Sequence, residues 1–319
     1  MGHPDGENAL STITKPCFIC GGQQFSQRTP EYLRCTACGH ETLIATESQG
    51  FIVNDPLSLR DAQQVSDLDR FKAATLARFD GSRPKDQLLD IGSASGKFLY
   101  LNQQRYQRAV GLEITPAALQ FSRDVLKLDI REDIASVPPD TSVATAWHSL
   151  EHIPERTLDH ILMTLSETMK VGARLVVSVP NADSIQYRLF WQSYAYFDVP
   201  NHLHQFSVAS LQQLLQKYGF VQVEAIRSRP YNTFGFIQGL LNVATGTHNY
   251  LYYRLKRRSQ KPSIKLDLIH ALLLPVVVPI GGLLGWLEGW SKNSQSVITA
   301  CFEKVGPPRP DASPQAAQT

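Results

Sequence analysis

One short segment constrains the fold of this chain more than any other. Residues 87–91, Gln-Leu-Leu-Asp-Ile, have the pattern of a short buried strand and lead into the turn Gly92-Ser93-Ala94-Ser95-Gly96. Residues 97–104 then follow a helical pattern. Glycines are needed where a backbone must approach a ligand closely, and a helix N-terminus supplies amide donors. We therefore expect a ligand-binding turn between a buried strand and a helix.

The chain after this turn alternates between two kinds of segment. Short apolar runs at 109–112, 143–147 and 174–179 alternate with helical stretches at 155–170 and 207–218. Such an alternation predicts parallel strands covered by helices on both faces. The predicted fold class is therefore α/β, with a Rossmann-like, doubly wound, mostly parallel sheet.

Two acidic residues beside the turn indicate the kind of ligand. Asp90 precedes the turn, and Glu113 closes the second strand, where a carboxylate can accept hydrogen bonds from ribose hydroxyls. A dinucleotide dehydrogenase would need Gly-x-Gly-x-x-Gly to hold a pyrophosphate, and the middle glycine is missing here. Asp90 would repel a pyrophosphate but suits a cationic cofactor. The alternative for Asp90 is a cap on the following helix.

Taken together, the motifs resemble those of the class I S-adenosylmethionine-dependent methyltransferases. The segments that carry the resemblance are 88–96, 110–114, 147–153 with Leu-Glu-His, 170–181, and 202–220 with His-Leu-His-Gln-Phe-Ser. Ala94 stands where the family usually has glycine. The likeness spans residues 85–225 and implies an enzyme that binds S-adenosyl-L-methionine.

The resemblance also implies which residues hold this cofactor. Asp90 would lie near the methionine portion, Glu113 would hold the ribose, and His148 would line the sulfonium end. Asp133 and Ile134 would lie near the adenine. The complete set of predicted cofactor-binding residues is Asp90, Gly92, Ser93, Gly96, Glu113, Ile114, Asp133, Ile134 and His148.

Three histidines, His152, His202 and His204, are candidate catalytic residues. In methyl transfer the cofactor brings the reactivity, and the protein positions the nucleophile and excludes water. An oxygen or nitrogen acceptor that must lose a proton needs a base, and imidazole titrates near neutral pH. His202 and His204 could form a general base, a metal pair or a substrate clamp. A packing role is the alternative for all three.

Near the N-terminus, Cys17–Cys20 and Cys35–Cys38 form two Cys-x-x-Cys-Gly turns, separated by residues 21–34. Four thiolates can bind one zinc ion tetrahedrally, and such a complete set leaves no coordination position for a substrate. We therefore predict a small N-terminal zinc ribbon with a structural Zn²⁺. A redox dithiol or unliganded cysteines are the alternatives.

A long apolar segment lies towards the C-terminus. Residues 268–287 contain no Asp, Glu, Lys or Arg, and a basic cluster at 254–261 precedes them. The run is long enough for a membrane span, but we expect Pro275 and Pro279 to break a continuous helix. Residues 296–302 resemble the final sheet strand of the family, so the chain must return to the sheet. We therefore expect a helical hairpin at the membrane interface; a pocket cap or a homodimer contact is the alternative.

The clustered cysteines and the N-terminus without a signal-peptide pattern predict a cytoplasmic protein, and the apolar segment would place it at the inner face of the membrane. The balance of 31 Lys and Arg against 29 Asp and Glu makes nucleic acid an unexpected partner. The expected organisation is a flexible lead at 1–13, the zinc ribbon at 14–44, a helical linker or lid at 45–84, the cofactor-binding core at 85–230, an apolar and basic helical insertion at 231–295, a final strand at 296–305 and a disordered tail at 306–319.

The predicted function is methyl transfer from S-adenosyl-L-methionine to a small-molecule, lipid-linked or glycan-precursor acceptor. The choice between O-, N- and C-methylation stays open. The alternatives are a zinc-ribbon RNA methyltransferase and a non-enzymatic, cofactor-binding interaction protein.

Overall fold

The structure is a computed structural model that describes residues 15–44, 58–81, 85–255, 263–291 and 293–309. The expected lead at 1–13, residues 45–57 and 82–84 of the expected linker, and most of the expected tail lie outside these ranges. The N-terminal part forms three short antiparallel strands: β1 (Phe25–Gln27), β2 (Tyr32–Cys35) and β3 (Glu41–Leu43).

Two helices connect this small sheet to the core, α1 (Leu59–Gln63) and α2 (Asp67–Asp80). Ser66 begins α2 with a capping box, in which its hydroxyl accepts from the amide of Asp69 and the Asp69 carboxylate accepts from the amide of Ser66. Val65 precedes this cap and is exposed. The capping side chains define the first turn of this helix.

The core alternates strands and helices in the predicted manner. In chain order it contains β4 (Gln87–Ile91), α3 (Lys97–Asn102), β5 (Arg108–Leu112), α4 (Pro116–Gln120), β6 (Asp129–Arg131), β7 (Thr141–Trp147), α5 (Glu155–Thr168), β8 (Arg174–Pro180), α6 (Ile185–Phe190), β9 (His204–Gln205), α7 (Val208–Lys217), β10 (Phe220–Ile226), α8 (Arg229–Thr245), α9 (Tyr250–Leu255), α10 (Ile264–Glu288) and β11 (Val297–Lys304).

Seven of these strands form one sheet in the order β10-β11-β8-β7-β4-β5-β6. The five strands β8, β7, β4, β5 and β6 are parallel to one another. β11 is antiparallel to both β8 and β10. Leu88 and Leu89 of β4 belong to separate buried clusters, since successive side chains point to opposite faces of a strand. The predicted mostly parallel, Rossmann-like sheet with helices on both faces is confirmed.

The N-terminal sheet is joined to the core by one of the core's own strands. β9 pairs with β3, with Thr42 opposite His204, and gives the order β1-β2-β3-β9. The hydroxyl of the buried Tyr32 donates to the backbone carbonyl of His202 at 2.7 Å. The small sheet therefore fixes the backbone of segment 202–205.

The segment between β10 and β11 forms a layer of helices, in which α10 packs along α8. At two positions the helices approach so closely that only glycine fits: a Cβ on Gly281 would lie 2.6 Å from Ile237, and one on Gly285 would lie 2.6 Å from Thr233. Residue numbers rise along α10 and fall along α8 from the first contact to the second, so the two helices are antiparallel. α8 in turn packs on α6, where Gly239 approaches Phe190.

The expectation that Pro275 and Pro279 break the apolar segment is wrong, because α10 is one continuous helix from Ile264 to Glu288. Each proline removes only one backbone donor, and the spacing of four residues puts both on the same side of the helix. Both are exposed, while the opposite side is held against α8. The hairpin that was expected within 268–287 is formed instead by α8 and α10.

Among the described residues, α10 is the one helix that is long and apolar enough to cross a membrane, and core helices of soluble proteins can meet the same criteria. Its C-terminal end is tied to the core, because the buried Glu288 carboxylate accepts a hydrogen bond from Gln186 at 2.6 Å. β11 then lies between β8 and β10. The chain thus returns to the sheet immediately after α10.

Candidate active site

The predicted cofactor residues lie mainly where neighbouring parallel strands end. β4 has β5 on one side and β7 on the other, so the strand order reverses at β4. Ligands of open α/β sheets bind in the crevice at such a switch point, outside the carboxyl ends of the strands. Gly92 follows β4, Glu113 follows β5 and His148 follows β7. The fold therefore brings three separate sequence motifs to one edge.

The turn after β4 has left-handed backbone at three alternate residues. The φ angles are +68° at Gly92, +47° at Ala94 and +73° at Gly96. A Cβ on Gly92 would lie 2.4 Å from the Cβ of Ser149, and one on Gly96 would lie 2.6 Å from Leu128. The conformation of Ala94 explains why glycine is usual at this position, since a side chain is strained there.

The carboxylate of Glu113 is fixed by backbone amides on both oxygens. Oε2 accepts from the amide of Ala94, and Oε1 accepts from the amides of Ile114 and Thr115, all at 2.8 Å. A carboxylate has about four acceptor positions, so three of them are used to orient it. The side chain of Ile114 itself is exposed. Glu113 is therefore a pre-oriented anion beside the glycine turn, as a partner of ribose hydroxyls must be.

Asp90 is buried within the sheet and does not cap a helix. Its Oδ1 accepts a hydrogen bond from the Thr145 hydroxyl at 2.6 Å, whereas the N-cap of α3 is Gly96. Burial raises the pKa of Asp90 to about 7, against a lowering effect of Lys72 and the Thr145 hydrogen bond. Lys72, on α2, lies with its Nζ 5.5 Å from the centre of the Trp147 ring. Helix α2 therefore brings a cation to the edge of the sheet that holds Asp90.

The remaining predicted cofactor residues differ in how they are placed. Ser93 Oγ is buried and has no hydrogen-bond partner among the described residues, so a ligand in the turn could bind it. Asp133 is exposed; its Oδ1 accepts from the amide of Ala135 and lies 3.6 Å from His160 Nε2. Ile134 packs in the core. The contacts of Asp133 are thus those of a helix cap, and its place near the adenine stays a prediction.

His148 lies directly after β7 in a left-handed conformation, with φ of +53°. Its amide donates to the carbonyl of Ser178 at 2.8 Å, and its ring lies 4.9 Å from that of Tyr231 and 6.0 Å from that of Tyr196. Nδ1 lies 3.4 Å from Oε1 of the buried Glu151. Two tyrosines and a carboxylate therefore hold this imidazole at the carboxyl edge.

Two of the candidate catalytic histidines meet. The rings of His152 and His202 are 4.6 Å apart, and His152 Nδ1 lies 2.9 Å from the carbonyl of Asn201. Burial, together with the nearby His152, lowers the pKa of His202 to about 4, so this ring is neutral at neutral pH. Burial alone would raise the pKa of Glu151, but His148, His152 and His202 outweigh it and hold the pKa below its ordinary value.

His204 is separated from this pair. Its Nδ1 lies 3.2 Å from His40 Nε2, its Nε2 lies 3.0 Å from the carbonyl of Ile153, and its ring stacks on Phe18. These partners belong largely to the N-terminal sheet. Among the described residues, the side chains at this edge that are close enough to hold one metal ion are Glu151, His152 and His202, and His204 is not one of them. His204 therefore has the surroundings of a packing residue between the two sheets.

The four predicted zinc ligands converge. Cys17 Sγ lies 3.7 Å from Cys38 Sγ, Cys20 Sγ lies 3.6 Å from Cys35 Sγ, and all four sulfurs lie within 4.8 Å of one another. Sulfurs about 2.3 Å from one zinc ion at the corners of a tetrahedron would be about 3.8 Å apart, whereas a disulfide needs about 2.05 Å. The residues fit a tetrahedral zinc ion, and its presence stays a prediction.

The family model described as "Methyltransferase domain" matches residues 64–225, half of the chain. The chain belongs to this methyltransferase family. The protein is an S-adenosylmethionine-dependent methyltransferase, as the resemblance implied, and the non-enzymatic alternative is not supported. A search of the curated proteins finds no match.

Several solved structures resemble the methyltransferase at low identity. A protein assigned as a sarcosine dimethylglycine methyltransferase from Galdieria sulphuraria is 15% identical, with a TM-score of 0.48 over 75% of this chain and 85% of the other. The geranyl diphosphate C-methyltransferase from Streptomyces coelicolor is 15% identical, with a TM-score of 0.45 over 79% and 88%. These similarities are too low to transfer a substrate or a mechanism.

Several residues of the methyltransferase site were not predicted. Glu151 lies inside the Leu-Glu-His segment, so its position in the sequence could have indicated it. Lys72, Tyr196 and Tyr231 come from α2, from the loop after α6 and from α8, outside the segments that carry the resemblance to the cofactor motifs. Only the packing of these elements over the sheet edge brings the three side chains to the site.

Proposed function

We propose that the methyltransferase acts on a small, lipid-linked or glycan-precursor acceptor that reaches the active site from an apolar surface. The observation that supports this is the position of α8. Tyr231, in its first turn, contacts the ring of His148 in the site, and Thr233 and Ile237 of the same helix pack against α10. One helix thus links the site to the outermost apolar layer.

The outer face of α10 is apolar and exposed. Leu268 is 66% exposed, Leu272 is 79% exposed, and Val276, Leu283 and Trp286 continue the same surface. Soluble monomers rarely expose a continuous apolar surface of this kind, which is typical of a membrane or protein contact. We propose that this face, here called the α10 surface, contacts a lipid bilayer peripherally.

Charged and aromatic residues support a lipid contact over a second protein copy. Arg254 and Lys265 lie near the N-terminal end of α10, and the sequence adds Lys256, Arg257, Arg258 and Lys261 just before it. Trp286 and Trp290 are exposed at the other end. Basic residues attract anionic lipid headgroups, and tryptophan favours the membrane interface. The protein would then act in the cytoplasm, at the inner face of the membrane.

The chain's own residues would perform four tasks in the reaction. Bound S-adenosylmethionine would supply a methyl group on a cationic sulfur. Glu113 would bind its ribose, and the Gly92–Gly96 turn would approach it closely. His152, which the structure places beside His202, would accept a proton from an oxygen or nitrogen acceptor that must lose one. Tyr196 and Tyr231 would exclude water from the reacting groups.

A methyl-transfer assay tests the acceptor class. The enzyme would be incubated with S-adenosylmethionine that carries a tritiated methyl group and, in parallel, with fractionated lipid, soluble glycan and RNA pools. We expect label in a lipid-linked or glycan-precursor fraction and none with Glu113→Ala. Label in RNA, together with salt-dependent RNA binding, would favour the RNA methyltransferase alternative and contradict the proposal.

A further inference from the structure

The carboxylate of Glu151 is buried, and no described residue donates a hydrogen bond of good geometry to it. Its side chain has no exposed surface, and neither oxygen accepts a hydrogen bond from a described residue. His148 Nδ1 lies 3.4 Å from Oε1, but outside hydrogen-bond geometry. Burying a carboxylate without hydrogen bonds is strongly unfavourable unless a positive charge compensates it. His148 compensates this charge only when its ring is protonated, so a bound cation would suit the position of Glu151.

Two imidazoles stand beside this carboxylate at a separation that suits one ion. One ligand atom each of Glu151, His152 and His202 lie within 4.8 Å of one another. Ligand atoms that are about 2.1 Å from one metal ion at tetrahedral angles lie about 3.4 Å apart. The three side chains would therefore close in on the ion as it binds, and they would fill only part of its coordination sphere.

The hydrogen bond of His152 is typical of a metal-binding imidazole. The Asn201 carbonyl, 2.9 Å from His152 Nδ1, can only accept, so Nδ1 carries the proton and Nε2 keeps its lone pair. A backbone carbonyl on the distal nitrogen is the common way to orient a metal-binding imidazole. His202 Nδ1 is buried and has no hydrogen-bond partner among the described residues, and the hydroxyl of Tyr32 fixes the backbone of His202.

We propose that Glu151, His152 and His202 bind a divalent transition-metal ion. Two imidazoles and one carboxylate form a suitable ligand set for such ions. Three protein ligands leave coordination positions open, as in catalytic sites and unlike the four thiolates of the zinc ribbon. An acceptor oxygen in an open position would lose its proton more readily. The proposal of this metal site does not depend on which acceptor the methyltransferase uses.

Cobalt(II) uptake by protein loaded with one zinc ion per chain, enough for the four thiolates alone, tests this site. Cobalt bound to thiolates gives intense charge-transfer bands, whereas cobalt bound to nitrogen and oxygen gives only weak visible bands. We expect uptake of about one cobalt ion beyond the ribbon zinc, without thiolate bands. No uptake, or uptake with thiolate bands that shows displacement of zinc from the ribbon, would overturn the proposal.

Two variants and one control locate the ion. Glu151→Gln keeps the shape of the side chain and removes its charge, and His202→Asn removes one imidazole; each should weaken cobalt binding at least about 10-fold. His160→Asn, at an exposed histidine on α5, should bind cobalt like the wild type. Zinc content and thermal unfolding confirm that each variant is folded. Wild-type cobalt affinity in folded Glu151→Gln would also overturn the proposal.

Discussion

The backbone amide of Ala94 donates a hydrogen bond to the Glu113 carboxylate at 2.8 Å. This bond joins the turn after β4 to the end of β5, so the two cofactor motifs form one hydrogen-bonded unit. The strained turn is held by the same carboxylate that we expect to bind the ribose. Changes at Glu113 should therefore affect both cofactor affinity and the order of the turn.

Replacing Glu113 should weaken cofactor binding. Hydrogen bonds to a charged group contribute about 1.5–3 kcal/mol, so Glu113→Gln should bind S-adenosylhomocysteine roughly 10- to 100-fold more weakly. Glu113→Ala should lose at least as much, because the turn also loses its anchor. Isothermal titration calorimetry measures both, with Glu132→Ala, an exposed acid paired with Arg123, as the control. Unchanged binding in Glu113→Ala would refute the assignment of the ribose partner.

Gly92→Ala should destabilise the fold more than a substitution that adds backbone strain alone. The new Cβ would be strained by the positive φ and would also lie 2.4 Å from Ser149 Cβ. At Gly172, φ is +90° and no atom lies within 4 Å of the place that a Cβ would occupy, so Gly172→Ala tests the strain only. We expect a loss of about 1 kcal/mol at Gly172 and about 3 kcal/mol at Gly92 in urea unfolding. Equal losses would show that contact with Ser149 is unimportant.

The stability of the protein should depend on the ionisation of two buried acids. Burial raises the pKa of Asp90 and of Glu288 to about 7, so the folded state retains protons that the unfolded state has already released. Their combined contribution to the free energy of unfolding is most favourable below about pH 4 and declines as the pH rises towards 7.

Glu288→Gln isolates this effect, since glutamine resembles the protonated acid and can still accept from Gln186. The variant should match the wild type near pH 4 and be more stable at pH 8 by about 1–3 kcal/mol. Urea unfolding at both pH values gives the difference, with the exposed Glu132→Gln as the control. A variant less stable than the wild type at pH 8 would contradict the expected sign.

Loss of one ribbon thiolate should abolish zinc binding and loosen the active site. Cys20→Ser should lower the zinc content by about one ion per chain in elemental analysis, whereas Cys301→Ser, at a buried cysteine of β11, should keep the wild-type content. Because Tyr32 holds the His202 carbonyl and β3 pairs with β9, amides of residues 202–205 should exchange faster in Cys20→Ser. Full zinc in Cys20→Ser would contradict the four-thiolate site.

Charges on the α10 surface should reduce membrane binding. Leu272→Glu combined with Val276→Glu should lower flotation with anionic vesicles several-fold, since a charge opposes burial in the bilayer interface. Leu189→Glu is the matched control, because Leu189 is an exposed apolar residue of α6 outside this surface. Unchanged flotation would contradict the proposed membrane contact. A change from dimer to monomer in sedimentation would show that the surface contacts a second copy of the chain.

The sequence predicted the sheet accurately because its signals are local. Residues 87–91 were expected as a strand, and β4 spans Gln87–Ile91. The apolar character of a strand and the glycine turn that follows it are properties of neighbouring residues, which need no knowledge of the remaining chain. α10 shows the limit of such reasoning, because packing against α8 maintains a helix through two prolines that local rules expect to interrupt it.

Which residues meet in the active site depends on tertiary contacts that no local sequence pattern predicts. The sequence could predict that Asp90, Gly92 and Glu113 lie close together, since consecutive strands of a parallel sheet end at one edge. The separation of His202 from His204 could not be predicted, because pairing of β9 with the distant β3 directs His204 towards the N-terminal sheet. The meeting of Glu151, His152 and His202 likewise depends on a loop fixed by Tyr32. The sequence alone determined the fold and the cofactor edge, whereas only the tertiary structure decided which titratable groups share one buried space.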